Sequence, residues 1–161
     1  MRPVDTVTYR RLSDDIPSGL AVATARIGRW DIASTIDSFL DVSYDPPTML
    51  LSLYGESRLA EAIEEAGTCA LTVLSSDQRD LADRFGTPGL PLQGMLNGVA
   101  HERDPNGNAV LTGGIASFAL EVADVHQAAT HRLIVGRVVA LADGTAMRPA
   151  IRFSRTHYDI V

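Results

Sequence analysis

The chain has 161 residues, 45% hydrophobic and 21% charged, which is enough for one hydrophobic core, so a single domain over residues 1–161 is expected. Its formal net charge of −6 argues against nucleic acid and anionic membranes as partners, because both favour a basic protein surface. No apolar run approaches the ~18 residues of a membrane span and no secretory signal pattern opens the chain, so we expect a cytoplasmic location.

Short β-rich runs separated by turn residues extend along most of the chain. Five runs are predicted as strands because they are apolar and bounded by Gly, Pro, Asn or Asp. In chain order they are Leu20 to Ala25, Thr48 to Leu53, Thr68 to Leu74, Ala116 to Val125 and Leu133 to Leu141. Cys69, the single cysteine, lies in the third run and is predicted to be a buried, inert thiol. The segment Asp104 to Asn108 is predicted as a tight turn, since Asn-Gly tolerates positive φ angles.

Two short helices are predicted between these strands. In the first, Ser57 can cap the opening amides, apolar residues recur at helical spacing, and Gly67 can end the helix. In the second, Asp77 is the expected cap and Gly86 the expected end. Strands outnumber helices without strict alternation. The sequence therefore predicts a mainly β fold with a few short helices, an antiparallel barrel or sandwich rather than a doubly wound sheet.

Standard catalytic motifs are missing from the sequence. It has no Gly-rich dinucleotide fingerprint, no phosphate-binding Gly-Lys loop and no nucleophilic serine elbow. The four histidines are scattered, which argues against a metal site. The chemistry must therefore be sought in less specific signals.

Three such signals remain, and each leaves an ordinary structural role open. The polar segment Ala33 to Phe39 suits the edge of a ligand rich in donors and acceptors, or a solvated surface strand. Ser57-Arg58 at a helix start forms a natural phosphate site, or a plain cap beside a solvated arginine. His131, which opens a predicted strand, is either a functional group or a surface histidine.

Taken in this order, the segments resemble the flavin reductase-like FMN-binding split barrels, the family of the small reductase components of two-component monooxygenases. The family block Thr-x-Ser-Ser-Phe-x-Ser-Val-Ser-x-x-Pro-Pro is similar to Thr35 to Pro47. Ser57-Arg58 falls where the family has a serine followed by a basic residue, and Asp77 to Phe85 resembles the helix that follows. The family's Gly-Asp-His corresponds to Ala129-Thr130-His131, with Gly136 in register, so only the histidine is kept.

The resemblance implies an antiparallel, Greek-key split β-barrel that reduces a bound flavin, FMN or FAD, with NADH or NADPH. It also implies a homodimer with the flavin at the subunit interface, and a partner flavin-dependent monooxygenase. It assigns His131 to the nicotinamide side as the catalytic residue. The residues that it assigns to flavin binding are Thr35, Ile36, Asp37, Ser38, Ser52, Leu53, Ser57, Arg58 and Arg84. Asp37 replaces a family serine, and its negative charge is expected to lower the reduction potential of the flavin.

Two alternatives to the reductase remain open at this point. One is a flavin-binding carrier or sensor without turnover, which the loss of the Gly-Asp pair beside His131 favours, because a second group normally orients an imidazole. The other is an FMN-dependent oxidoreductase of the same fold that acts on a small organic substrate.

Overall fold

A computed structural model describes residues 3–145 and 148–154 and the backbone of residues 156–159. The helices of this described part are α1 (Thr6–Asp14), α2 (Arg58–Ala66) and α3 (Arg79–Gly86). Its strands are β1 (Ser18–Gly19), β2 (Ala21–Ile27), β3 (Trp30–Ile36), β4 (Phe39–Tyr44), β5 (Pro47–Tyr54), β6 (Thr68–Val73), β7 (His101–Arg103), β8 (Ala109–Leu111), β9 (Ala116–Ala128), β10 (His131–Asp143), β11 (Ala150–Phe153) and β12 (Thr156–Asp159).

One antiparallel sheet of seven strands dominates the molecule. Its strand order is β3-β2-β6-β9-β10-β5-β4, and every neighbouring pair runs antiparallel. A three-stranded sheet, β1-β11-β12, and the hairpin β7-β8 complete the β structure. The predicted mainly β, antiparallel fold with a few short helices is confirmed. None of the helices in the described ranges is both long and apolar enough to cross a membrane.

The principal core lies between the inner face of the large sheet and helix α2. Alternate residues of β5 point inward, as Met49, Leu51 and Leu53 do, which is the period-2 pattern of a strand with one buried face. From α2, the apolar stripe with Leu59 and Ile63 packs onto the same cluster. Removing this apolar surface from water is the main stabilising contribution.

Helix α2 begins and ends at the predicted residues. The Ser57 hydroxyl oxygen accepts a hydrogen bond from the Ala60 amide at 3.2 Å, and Gly67 takes the left-handed conformation, with φ of 67°, that a helix end favours. The cap predicted for the next helix is wrong. Ser75 and Gln78 form a capping box around a 3-10 turn, and α3 begins only at Arg79, so Asp77 lies inside that turn.

Several elements were not predicted from the sequence. Helix α1 has no buried residue, and β3 and β4 occupy the region that was treated as a polar segment. Strands β9 and β10 extend beyond the predicted runs and meet in a hairpin at Ala129-Thr130. The predicted turn is confirmed: Gly107 has φ of 86° and lies between the paired strands β7 and β8.

Candidate functional site

Two neighbouring grooves lie on either side of the segment where α3 ends. The first, here called the helix groove, has a volume of about 410 Å³ and lies at the start of α2; residues that line it include Ser34, Tyr54, Glu56, Ser57, Arg58, Leu90 and Met95. The second, the strand groove, has a volume of about 470 Å³ and lies at the end of β3; residues that line it include Thr35, Ile36, Asp37, Ala82, Asp83 and Arg152. Gly86, Thr87 and Pro88 line both grooves.

The helix groove carries donors suited to an anion. The first-turn amides of α2 have no partner within the helix apart from the one that Ser57 caps, and the positive end of the helix dipole lies there. Arg58 adds a guanidinium group, one nitrogen of which donates to the Leu90 carbonyl at 2.8 Å. A guanidinium has five N–H donors, so this bond leaves others for a ligand. The chemistry of this donor set fits a phosphate group.

Tyr54 and Glu56 also line the helix groove. The Tyr54 hydroxyl donates to Glu56 Oε2 at 2.9 Å. This hydrogen bond and the charge of Glu56 raise the pKa of Tyr54 above its ordinary value. The pair places a neutral phenol and a bonded carboxylate beside the anion-binding donors.

The strand groove combines hydroxyls with an ion pair. Thr35 Oγ1 donates to the Ala82 carbonyl at 2.7 Å, which joins β3 to α3. Ser38 Oγ donates to Asp37 Oδ1 at 3.1 Å. Arg152 Nε lies 2.6 Å from Asp37 Oδ2, although the angle is not that of an aligned hydrogen bond, so the contact is an ion pair. The groove can therefore offer several polar partners to one ligand.

Four residues assigned by the resemblance line neither groove: Ser38, Ser52, Leu53 and Arg84. Ser52 lies beside Ser38, and the Ser52 amide donates to the Ser38 carbonyl at 2.8 Å. Leu53 is buried in the core. Arg84 donates to the carbonyls of Met95 and Asn97 at 2.8 and 3.1 Å, which ties the loop after α3 to that helix. The role of these four side chains in flavin binding remains a prediction.

His131 lies at the start of β10, directly opposite Tyr54 of β5. The two rings meet edge to face with centroids 6.1 Å apart. Thr130 Oγ1 lies 3.1 Å from His131 Nδ1, so a hydroxyl holds the imidazole where the family motif has an aspartate. Ala129 has φ of 51°, a left-handed conformation that glycine adopts without strain. His131 is thus positioned and oriented next to a residue that lines the helix groove.

Sequence reasoning missed Tyr54, Glu56, Leu90 and Arg152 as groove residues. The position of Tyr54 and Glu56 just before the helix cap was an available signal, because the residues before a helix start flank its N-terminus. No sequence pattern connects Arg152 with Asp37. That pair forms only because β11 folds back toward the end of β3.

This architecture is that of the split-barrel flavin reductases. The structure superimposes on the NADH:FAD oxidoreductase SgcE6 of Streptomyces globisporus, solved in complex with NAD and FAD fragments, with a TM-score of 0.92. The alignment covers 100% of this chain and 98% of that one at 21% sequence identity. At this identity the likeness establishes the fold.

The sequence establishes the family. The model of the flavin reductase like domain matches residues 12–161, and the chain belongs to this family. It is 34% identical over 134 residues to the NADH-dependent FMN reductase AsuE2 of Streptomyces nodosus subsp. asukaensis, covering 81% of this chain and 71% of that protein. It is 33% identical over 135 residues to the FMN reductase (NADH) SmoA of Agrobacterium fabrum, covering 84% and 75%.

Proposed function

We propose that this chain is an NAD(P)H-dependent flavin reductase that binds FMN and supplies the reduced flavin to a partner monooxygenase. The observation that carries the proposal is the set of donors at the start of α2, where Ser57 and Arg58 lie, next to the hydroxyl-bearing strand groove. The names of the relatives support the same activity, since both are described as NADH-dependent FMN reductases. The reductase subunit HsaB of a flavin-dependent monooxygenase from Mycobacterium tuberculosis, 27% identical over 146 residues, supports the monooxygenase partner.

The residues present fit a flavin mononucleotide. Ser57 and Arg58 are proposed to hold the phosphate, which a helix N-terminus and a guanidinium both favour. Thr35, Asp37 and Ser38 are proposed to bind the ribityl chain and ring edge, because that part of the molecule is rich in hydroxyl, carbonyl and N–H groups. FAD shares the same flavin and first phosphate, so the same donors can serve either nucleotide.

Bound flavin supplies the redox chemistry by accepting a hydride from the nicotinamide. The task of the protein is to bind and orient the reactants, which needs no protein nucleophile. His131, held by Thr130 beside Tyr54, is proposed to donate a hydrogen bond to the carboxamide or phosphates of NADH or NADPH. Thr130 thus takes the place of the missing aspartate in orienting the imidazole, which favours the reductase over a carrier without turnover.

We further propose that the chain is a cytoplasmic single-domain protein that forms a homodimer through the outer face of β4, β5 and β10. Leu40, Leu50 and Val135 lie side by side across these strands, and Leu40 is 51% exposed. Ser52 lies two residues beyond Leu50 on β5 and faces the same side, because side chains alternate along a strand. Ser38 directly precedes β4 and lies beside Ser52, whose amide donates to the Ser38 carbonyl. A flavin between two subunits can therefore meet them although they line neither groove.

The test is a steady-state assay of NADH and NADPH oxidation with FMN, FAD or riboflavin. We expect oxidation that requires added or bound flavin and a preference for the nucleotides that carry phosphate. Protein that binds FMN yet oxidises neither nicotinamide would indicate a carrier. Turnover that requires an organic substrate would indicate the second alternative.

A separate experiment tests the role of His131. His131→Ala is expected to lower kcat/KM for NAD(P)H about 5- to 150-fold, the value of one polar contact of ~1–3 kcal/mol, with little change in FMN affinity. The matched control is His126→Ala, which removes an exposed imidazole from the neighbouring strand β9. A wild-type value of kcat/KM in the His131 variant would show that this histidine has no role in nicotinamide binding.

A further inference from the structure

We infer that Arg152 is a positioning residue that balances the charge of Asp37 and thereby sets the reduction potential of the bound flavin. The inference rests on the proposed function and adds to it a residue that the flavin-binding motifs do not contain. It also changes the expectation for Asp37, which was treated above as an uncompensated negative charge.

The geometry places both charges in the strand groove. Arg152 Nε lies 2.6 Å from Asp37 Oδ2, and both side chains line the groove. Their exposed fractions are 25% and 31%, so the pair is partly removed from water and is screened less than an exposed pair. Asp37 thus contributes a dipole, and not a full negative charge, to this part of the site.

Arg152 is itself held by a second carboxylate. Its Nη1 lies 3.6 Å from Asp14 Oδ1 at the end of α1. The Ser154 amide donates to the Asp14 carbonyl at 2.8 Å, which fastens the end of α1 to the chain just after β11. These contacts restrict where the guanidinium can lie and give α1, which has no buried residue, a role at the site.

The charge count of the groove explains why this arginine matters. Among the described residues that line the strand groove, Asp37 and Asp83 are the carboxylates and Arg152 is the cation. A flavin becomes anionic when it is reduced, so added negative charge weakens the binding of the reduced form relative to the oxidised form. The positive charge of Arg152 offsets this effect and so preserves the affinity of the site for the reduced flavin.

The experiment measures the reduction potential of bound FMN by potentiometric titration, with the affinity for oxidised FMN measured in parallel. In Arg152→Gln, the affinity for reduced FMN relative to oxidised FMN is expected to fall roughly tenfold. This fall corresponds to a reduction potential lowered by about 30 mV for a two-electron couple. Asp37→Asn is expected to shift the potential upward by a similar amount. The double variant should return near the wild-type value, and Arg152→Lys should retain it.

Arg103→Gln is the matched control, because Arg103 forms a partly exposed ion pair with Asp31 and lines neither groove. It should leave the potential unchanged. Unchanged potentials in Arg152→Gln and Asp37→Asn, with FMN still bound, would overturn the inference while leaving the reductase intact. If Arg152→Gln does not fold, the direction of the shift in Asp37→Asn decides. Failure of the wild-type protein to bind FMN would instead overturn the proposed function, and the inference with it.

Discussion

At the scale of single residues, Arg58 is the side chain on which the phosphate assignment depends. Arg58→Ala is expected to weaken FMN binding by about 1.5–3 kcal/mol, roughly 10- to 150-fold, because a charge-assisted hydrogen bond to the phosphate is lost. Riboflavin, which has no phosphate, should lose less than about twofold by the same reasoning. Flavin fluorescence titrations measure both constants.

The control for Arg58 is Arg29→Ala. Arg29 stacks over the Trp30 ring, 4.6 Å from its centroid, and neither residue lines the two grooves. This variant should bind both flavins like the wild type. Equal losses for FMN and riboflavin in Arg58→Ala would remove phosphate binding as the explanation.

Asp31 illustrates a residue whose charge contributes to stability and not to the site. Arg103 forms an ion pair with Asp31 and donates hydrogen bonds to both of its carboxylate oxygens. These hydrogen bonds hold the pKa of Asp31 below its ordinary value, although burial acts in the opposite direction. A depressed pKa in the folded state stabilises the protein above the unfolded-state pKa of ~3.9, and this contribution is lost as the pH falls through the folded-state value.

Asp31→Asn is therefore expected to lower the free energy of unfolding by about 1 kcal/mol at pH 7, since the pair is partly exposed. The difference from the wild type should shrink below about pH 4. Urea denaturation at pH 7 and at pH 3 measures it. Asp143→Asn, the same change at an exposed residue of β10, should alter stability by less than about 0.5 kcal/mol at either pH. A difference for Asp31→Asn that is independent of pH would contradict the argument.

At the scale of elements, the β9–β10 hairpin contains a backbone conformation that its sequence does not favour. Ala129 has φ of 51°, which costs an L-residue about 1–2 kcal/mol that glycine does not incur. Ala129→Gly should therefore raise the free energy of unfolding by about 0.5–1 kcal/mol after the entropy of the glycine is counted. Ala128→Gly, in the extended last residue of β9, should lower it by a similar amount. Denaturant unfolding midpoints, with unchanged slopes, measure the stability of both variants. A lower stability of Ala129→Gly would contradict the proposed backbone strain at Ala129.

At the scale of the whole molecule, the exposed apolar face of β4 predicts the dimer interface. Leu40 is 51% exposed and lies beside Leu50, which in turn lies beside Val135 of β10. An isologous interface large enough for a stable dimer buries at least about 1,000 Å² in total, and an introduced charge at its centre is costly. Leu40→Lys is expected to weaken dimerisation at least tenfold in sedimentation equilibrium.

Val7→Lys provides the comparison for the dimer. Val7 is 81% exposed but lies on α1 and not on β4, β5 or β10, so the same change should leave the dimer intact. A wild-type protein that sediments as a monomer at low concentration while it binds FMN tightly would contradict the dimer and the placement of Ser38 and Ser52 at its interface.

Features that depend on near neighbours in the chain could be predicted from the sequence. The caps of α2, the turn at Gly107 and the inward alternation of β5 depend on residues a few positions apart, and they are confirmed. The cap at Asp77 failed because Ser75 and Gln78 compete for the same amides with a reciprocal pair of bonds. Strands β3 and β4 were not among the five predicted strands, although a surface strand was left open for Ala33 to Phe39. Both are edge strands, whose burial patterns alternate weakly.

The sequence by itself determined the fold class, the flavin reductase family and five of the residues that line the grooves, because hydrophobic period, helix capping and the hydroxyl-rich block depend on near neighbours in the chain. These five are Thr35, Ile36, Asp37, Ser57 and Arg58. Only the tertiary structure decided that Asp37 is paired with Arg152, that Thr130 orients His131 and that Arg84 is bound to backbone carbonyls. The physical reason is the same for the Asp37–Arg152 pair and for the contacts of Arg84. Each joins elements that are separate in the chain, and their distance is set by how the sheets and helices pack.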